Sequence, residues 1–201
     1  MASQGYKRLL PFQQRDENDT VNLYSLTNTG ERGMLVTVDS ANMDEKHGWD
    51  YNHAPGASYN GVSSFRYETK TKVKPAASGD TKYSILGLTL FDVAETDENG
   101  EKYIYNKQKA RENSTVVSGE SVPVGTKGIF TLNSLSWSNG TGNLPQVGDV
   151  AVAAADGKFY FADYSTEITS SGVPYGEQHI VGKVIGTGSK QDGYVMLKLD
   201  I

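Results

Sequence analysis

A chain of 201 residues with no cysteine excludes a disulfide framework, a thiolate nucleophile and any cysteine-ligated zinc or iron–sulfur centre. Its net charge of -5 argues against nucleic acid as the partner, because phosphate binding needs a basic surface. With 22 glycines and 12 tyrosines against 6 phenylalanines, the composition favours many short strands and turns over long helices.

The N-terminus, MASQGYKRLLPFQQRDEND, carries one short apolar patch at Leu9, Leu10 and Phe12, with Pro11 inside it. No signal peptide is read there, and no run approaches the roughly 20 apolar residues that span a bilayer. The expectation is therefore synthesis in a cytoplasm, with no membrane partner. Residues 1–30 read as an extended arm, since no periodic pattern follows the patch. Val21, Leu23 and Ser25 alternate only weakly. A first strand is predicted over 33–38, with Met34, Leu35, Val36 and Val38 as core candidates. Residues 39–80 form a long irregular loop, rich in Gly and Pro, with Trp49, Tyr51, Tyr59, Phe65 and Tyr67 among them. A structureless stretch of that length must pack on the body or on a neighbour. Within it, residues 64–74 alternate well enough to be a strand.

From Tyr83 the strand signal is clear. Residues 85–93 are densely apolar. Asp97-Glu98-Asn99-Gly100 reads as a hairpin turn, because Asn-Gly readily takes positive φ. Residues 102–105 are then the return strand, and 106–113 a short helix. Strands are predicted at 114–118, 121–124, 128–132, 149–155, 158–162, 179–186 and 194–199, with Asp156-Gly157 and Asp192-Gly193 as further hairpin punctuation. Short strands with almost no helix predict an all-β fold, an antiparallel barrel or sandwich over 31–201 preceded by the arm.

Each motif that could carry chemistry has a plainer reading. Asp44, Glu45, His47, Asp50 and His53 could hold a divalent ion, but their spacing matches no known ligand set and a polar surface loop explains them. Glu95, Asp97, Asn99 and Gly100 mimic the start of a calcium loop, yet the twelfth position is Asn106 where a bidentate Glu is needed. Gly186-Thr187-Gly188-Ser189-Lys190 resembles a phosphate loop but leads into a strand, not a helix. No serine sits in a Gly-x-Ser-x-Gly elbow. The sequons at Asn18, Asn113 and Asn139 lack a secretory signal that would expose them to glycosylation. No cofactor, metal site or catalytic set is therefore expected. Trp49, Trp137 and the tyrosines could stack on sugar rings; packing in the core and in subunit contacts accounts for them as well.

Two passages carry a family resemblance. One is LGLTLFDVAETDENGEKYIYNKQKA, followed by VVSGESVPVGTKGIFTL; the other is VGDVAVAAADGKF with the ending HIVGKVIGTGSKQDGYVMLKLDI. With the polar N-terminal arm, they make residues 83–201 resemble the capsid decoration (cement) proteins of tailed bacteriophages. The resemblance implies a protein of the virion with no active site. Such a protein binds the outer face of the major capsid protein lattice, as a dimer or trimer, and stiffens the head against the pressure of packaged DNA. The arm (Tyr6, Arg8, Leu9, Leu10, Phe12) and the aromatic loop (Trp49, Tyr51, Tyr59) are then the expected contacts. An arm that orders on binding can wrap a large surface, so deleting residues 1–20 is expected to leave the β body folded. The alternatives are a glycan-binding module of a phage fibre, another head or tail component, and a small hydrolase assembled only in space.

Overall fold

Alternating apolar residues in short runs need a second layer to cover them, and the chain supplies it by building two six-stranded sheets. The computed structural model describes residues 7–26, 29–39, 71–138, 144–163, 169–170, 173–174, 176–188 and 193–201. In chain order the strands are β1 Leu9–Gln14, β2 Thr20–Val21, β3 Tyr24–Ser25, β4 Leu35–Val38, β5 Thr71–Pro75, β6 Ile85–Thr89, β7 Asp92–Val93, β8 Thr115–Val116, β9 Val124–Gly125 and β10 Lys127–Asn133. They continue with β11 Val150–Ala153, β12 Phe159–Ala162, β13 Thr169–Ser170, β14 Val173–Pro174, β15 Ile180–Thr187 and β16 Tyr194–Asp200. Among the described residues one α-helix, α1, covers Lys107–Glu112. The fold is all-β, as the composition and strand pattern predict.

The first sheet runs β1-β10-β16-β15-β11-β12, antiparallel throughout. Past β10 the chain swings back, so that Trp137 bridges Phe159 of β12 and the Ser138 amide donates to the Phe159 carbonyl at 2.9 Å. The sheet thereby nearly closes into a barrel. The second sheet runs β2-β9-β6-β4-β5-β3, with only the β3–β5 pair parallel. It closes in the same manner: Ser25 bridges Ser121, and the Val122 amide donates to the Tyr24 carbonyl at 2.9 Å.

The period-2 pattern decides which cluster each side chain joins. In β16, Val195, Leu197 and Leu199 point inward while Tyr194, Lys198 and Asp200 face out. In the second sheet, Val36 packs with Met34, Val73, Val122 and Val124 inside that sheet, whereas its neighbour Leu35 turns to the core of the first. A bulge in β6 sets the same division there. Val36 faces Gly87 and Thr37 faces Ile85, so one residue on β6 is extra. Both Ile85 and Leu88 consequently reach the shared core with Phe130, Phe159 and Leu197. Gly87 is required at this crossing, because a Cβ there would stand 2.3 Å from the Gly125 carbonyl oxygen.

Asp156-Gly157 forms the expected turn between β11 and β12, with φ of 58° and 65°. The helix lies within the predicted 106–113, with Asn106 as its N-cap accepting from the Lys109 amide at 3.2 Å. The expected turn across Asp97–Gly100 forms, with the Gly100 amide donating to the Asp97 carbonyl at 3.1 Å and Gly100 at φ 83°, but the return strand expected at 102–105 does not. A single bridge joins Thr96 to Lys102, and residues 103–105 turn to deliver Asn106 to its cap. β7 instead pairs in parallel with β8, beyond the helix. The expected strand at 64–74 is present in its described part as β5.

The arm over residues 1–30 also differs from expectation. Its chain is extended, but residues 9–25 provide β1 to the first sheet and β2 and β3 to the second. Leu9 is 3% exposed in the main core, paired with Leu132 of β10. A buried leucine and a ladder of backbone hydrogen bonds outweigh the polar residues that suggested a detached segment.

Candidate partner-binding edge

β1 lies at one end of the first sheet, with β10 on one side and no strand on the other among the described residues. Its pairing is irregular in an informative way. Leu9 opposes Leu132 and Gln13 opposes Phe130, so Leu10-Pro11-Phe12 stands against Thr131 alone. Proline has no amide proton for the ladder and is tolerated at such edges and bulges. The three residues therefore loop away from the sheet. Phe12 is 61% exposed, Leu10 is half-buried, and the Thr131 hydroxyl beneath them is buried without a hydrogen-bond partner among the described residues.

The base of this prong is fixed. Leu9 is in the core, and the Arg8 guanidinium pairs with Glu31 at 2.9 Å and donates to the Asp156 carbonyl at 3.3 Å. The Arg8 carbonyl accepts from the Asn133 amide at 2.8 Å and from the Ser136 hydroxyl at 2.9 Å. Of the sequence-derived contact candidates, Leu10 and Phe12 lie at the surface. Leu9 and Arg8 are instead consumed by the fold, because one is fully apolar beside a core strand and the other bridges two turns. Tyr6, Trp49, Tyr51 and Tyr59 lie outside the described residues, as do Asp44, Glu45, His47, Asp50 and His53.

A cleft of about 440 Å³ runs beside the prong, between β1 and the chain leaving β6. Leu9, Leu10, Leu90 and Phe91 give it apolar walls, and Lys7, Arg15 and Arg32 line it with cations. Asp92 organises two of these. Its carboxylate accepts from the Arg32 amide at 2.8 Å and pairs with Lys7 at 3.0 Å and the Arg32 side chain at 3.5 Å. Behind Asp92 a second, more polar cleft of about 490 Å³ reaches Asp97, Glu112 and Ser114. Ser114 follows the helix in a left-handed conformation, φ 51°, the usual geometry of a helix C-terminal cap.

The acidic turn that mimics a calcium loop is occupied from within. Asp97 accepts from the Asn99 and Glu101 amides, each at 2.8 Å, and from the Lys109 ammonium. The Lys109 hydrogen bond holds the Asp97 carboxyl below its ordinary pKa, with burial opposing and the two amides assisting. Lys109 is raised by the same hydrogen bond. These contacts use both carboxylate oxygens, the ones a cation would need.

Other chemistry finds little support in local geometry. Trp137 is 9% exposed and meets Phe161 edge-on at 5.8 Å, so it packs in the core and offers no face to a sugar. His179 is buried, and its Nδ1 accepts from the Gly176 amide at 3.2 Å, which fixes the ring as part of a turn. The three basic residues of the cleft were not legible as a group. Lys7 and Arg15 sit in the polar flanks of the apolar patch, and Arg32 joins them only through the fold. The chain matches no protein-family model, no curated protein and no solved structure.

Proposed function

We propose that this chain is a structural protein of a tailed-bacteriophage head. It binds the outer surface of the major capsid protein lattice as a decoration, or cement, protein, and forms a small homo-oligomer there. The supporting observation is the apolar prong Leu10-Pro11-Phe12, looped out of an edge strand whose base is locked by Leu9 and Arg8. A cement must carry load between capsomers. A contact on a floating tail would transmit little of it, whereas a prong rooted in a closed β core passes strain directly to the body. Leu10 and Phe12 stand together on the bulge beside the apolar walls of the cleft, and contiguous apolar surface of this kind marks a contact site. Many such contacts repeated on one lattice gain strength through effective concentration.

Co-sedimentation with empty heads assembled from the major capsid protein of the same genome tests this reading. Wild-type protein is expected in the pellet at saturable stoichiometry. Phe12→Ala and Leu10→Ser are expected to remain folded and to bind more weakly, by about tenfold or more for Phe12, whose truncation removes an aromatic anchor. Wild-type protein that stays wholly in the supernatant overturns the proposal. Deleting residues 1–20 is the wrong instrument, since it removes β1 itself.

A further inference from the structure

We infer that the cleft beside β1 receives an extended, acidic segment of the partner protein. The partner's identity rests on the capsid reading; the chemistry of the cleft does not. Three features of the cleft select this occupant. First, β1 has no strand on its outer side among the described residues; Pro11 and the bulge take residues 10–12 out of any ladder, so strand addition is confined to the regular stretch at Gln13–Gln14. Secondly, the walls supplied by Leu10, Leu90 and Phe91 offer apolar contact to alternate side chains of that segment.

Thirdly, the charge is of the wrong sign for this protein as a whole. The chain carries -5, yet Lys7, Arg15 and Arg32 line the cleft and no carboxylate of the described residues does. Asp92 stands behind, one carboxylate against Lys7 and Arg32 together. Arg15 is exposed and bonds a neutral hydroxyl, that of Thr20, at 2.6 Å. A local excess of cations on an acidic protein attracts carboxylates and rejects basic segments, which gives both steering and register. A basic or neutral extended peptide would leave the excess positive charge of the cleft, three cations against the one Asp92 carboxylate, uncompensated.

The full chain, immobilised, is offered a library of synthetic nonapeptides in which valine or leucine alternates with fully degenerate positions. Wild-type protein is expected to enrich Asp and Glu over Lys and Arg at two or more degenerate positions. The selected peptides should bind about tenfold more weakly to a Lys7→Gln/Arg15→Gln double variant, and more weakly at high salt, as expected for a few partly exposed ion pairs. Arg15→Glu alone, whose side chain is exposed, provides a second variant that disturbs no ion pair with Asp92. Enrichment of acidic and neutral members alike, retention of nothing above background, or selection unchanged in both variants overturns the inference. Heads that bind wild-type protein and the double variant equally also sink the cleft while the capsid reading stands. Acid selection without any head binding does the reverse.

Discussion

Leu9 and Phe12 are three residues apart and have opposite duties. Leu9 is 3% exposed in the main core and Phe12 is 61% exposed on the bulge. Leu9→Ala is expected to cost about 2–5 kcal/mol, because it removes buried methyl groups and leaves a cavity between β1 and β10. Phe12→Ala should stay within about 0.5 kcal/mol of wild type, as surface changes usually do. Urea unfolding midpoints read this difference directly. Equal destabilisation by the two variants would mean that Phe12 is not the solvent-facing residue described. From sequence the pair was indistinguishable, since LLPF offers no period. Only the bulge opposite Thr131 assigns one residue to the core and the other to the surface.

The elements around α1 depend on one carboxylate. Asp97 ties the acidic turn to the helix through Lys109 and caps two amides of its own turn. Its pKa is lowered in the folded state, so its contribution is present above the ordinary carboxylate value near ~4 and is lost as pH falls through the depressed folded value. Lys109 is raised, so its contribution is present below its ordinary value near ~10.4 and is lost as pH rises through the folded one. Between those limits the pair contributes a constant amount. Asp97→Asn should lower the melting temperature across neutral pH, and the gap to wild type should narrow once the pH drops below ~4. A gap that is unchanged at acid pH would contradict this role. The helix itself was legible, with Asn106 as its cap and residues KQKARE of high propensity. The strand expected at 102–105 was not. Its Tyr103 packs with Ala110 and Val117 behind the helix, a tertiary contact that outweighs its strand propensity.

For the whole molecule, the all-β class and most of the later strands were legible because β12 and β16 show their buried face as an alternation, and β11, buried at every position, as a short continuous apolar run. How the strands pair was not, because β1 pairs with β10 across most of the chain and β7 with β8 across a helix. The arm was misread for the same reason: β1 looks unsupported until its distant partner is known. Deleting residues 1–20 should therefore do more than remove a binding segment. It uncovers one edge of β10, removes Leu9 from the core and takes Thr20, half of β2, from the second sheet. Circular dichroism on heating is expected to show a broad, early transition for the truncated chain in place of one cooperative melt. A sharp transition near the wild-type temperature would restore the detached-arm picture.

The position of β16 also bears on when the protein can fold. This strand, residues 194–200, does not lie at a margin: it sits between β10 and β15 and carries Val195, Leu197 and Leu199 into the core. During synthesis, β10 and β15 are both made before the strand that joins them. β1 with β10, and β15 with β11 and β12, can pair as separate halves, but the first sheet is not joined, nor its core completed by Val195, Leu197 and Leu199, until β16 has been made. Assembly of this sheet therefore waits for β16 and is dominated by non-local pairing, the slow class of folding topologies. The nascent protein has an interval in which its strands can pair with copies of themselves.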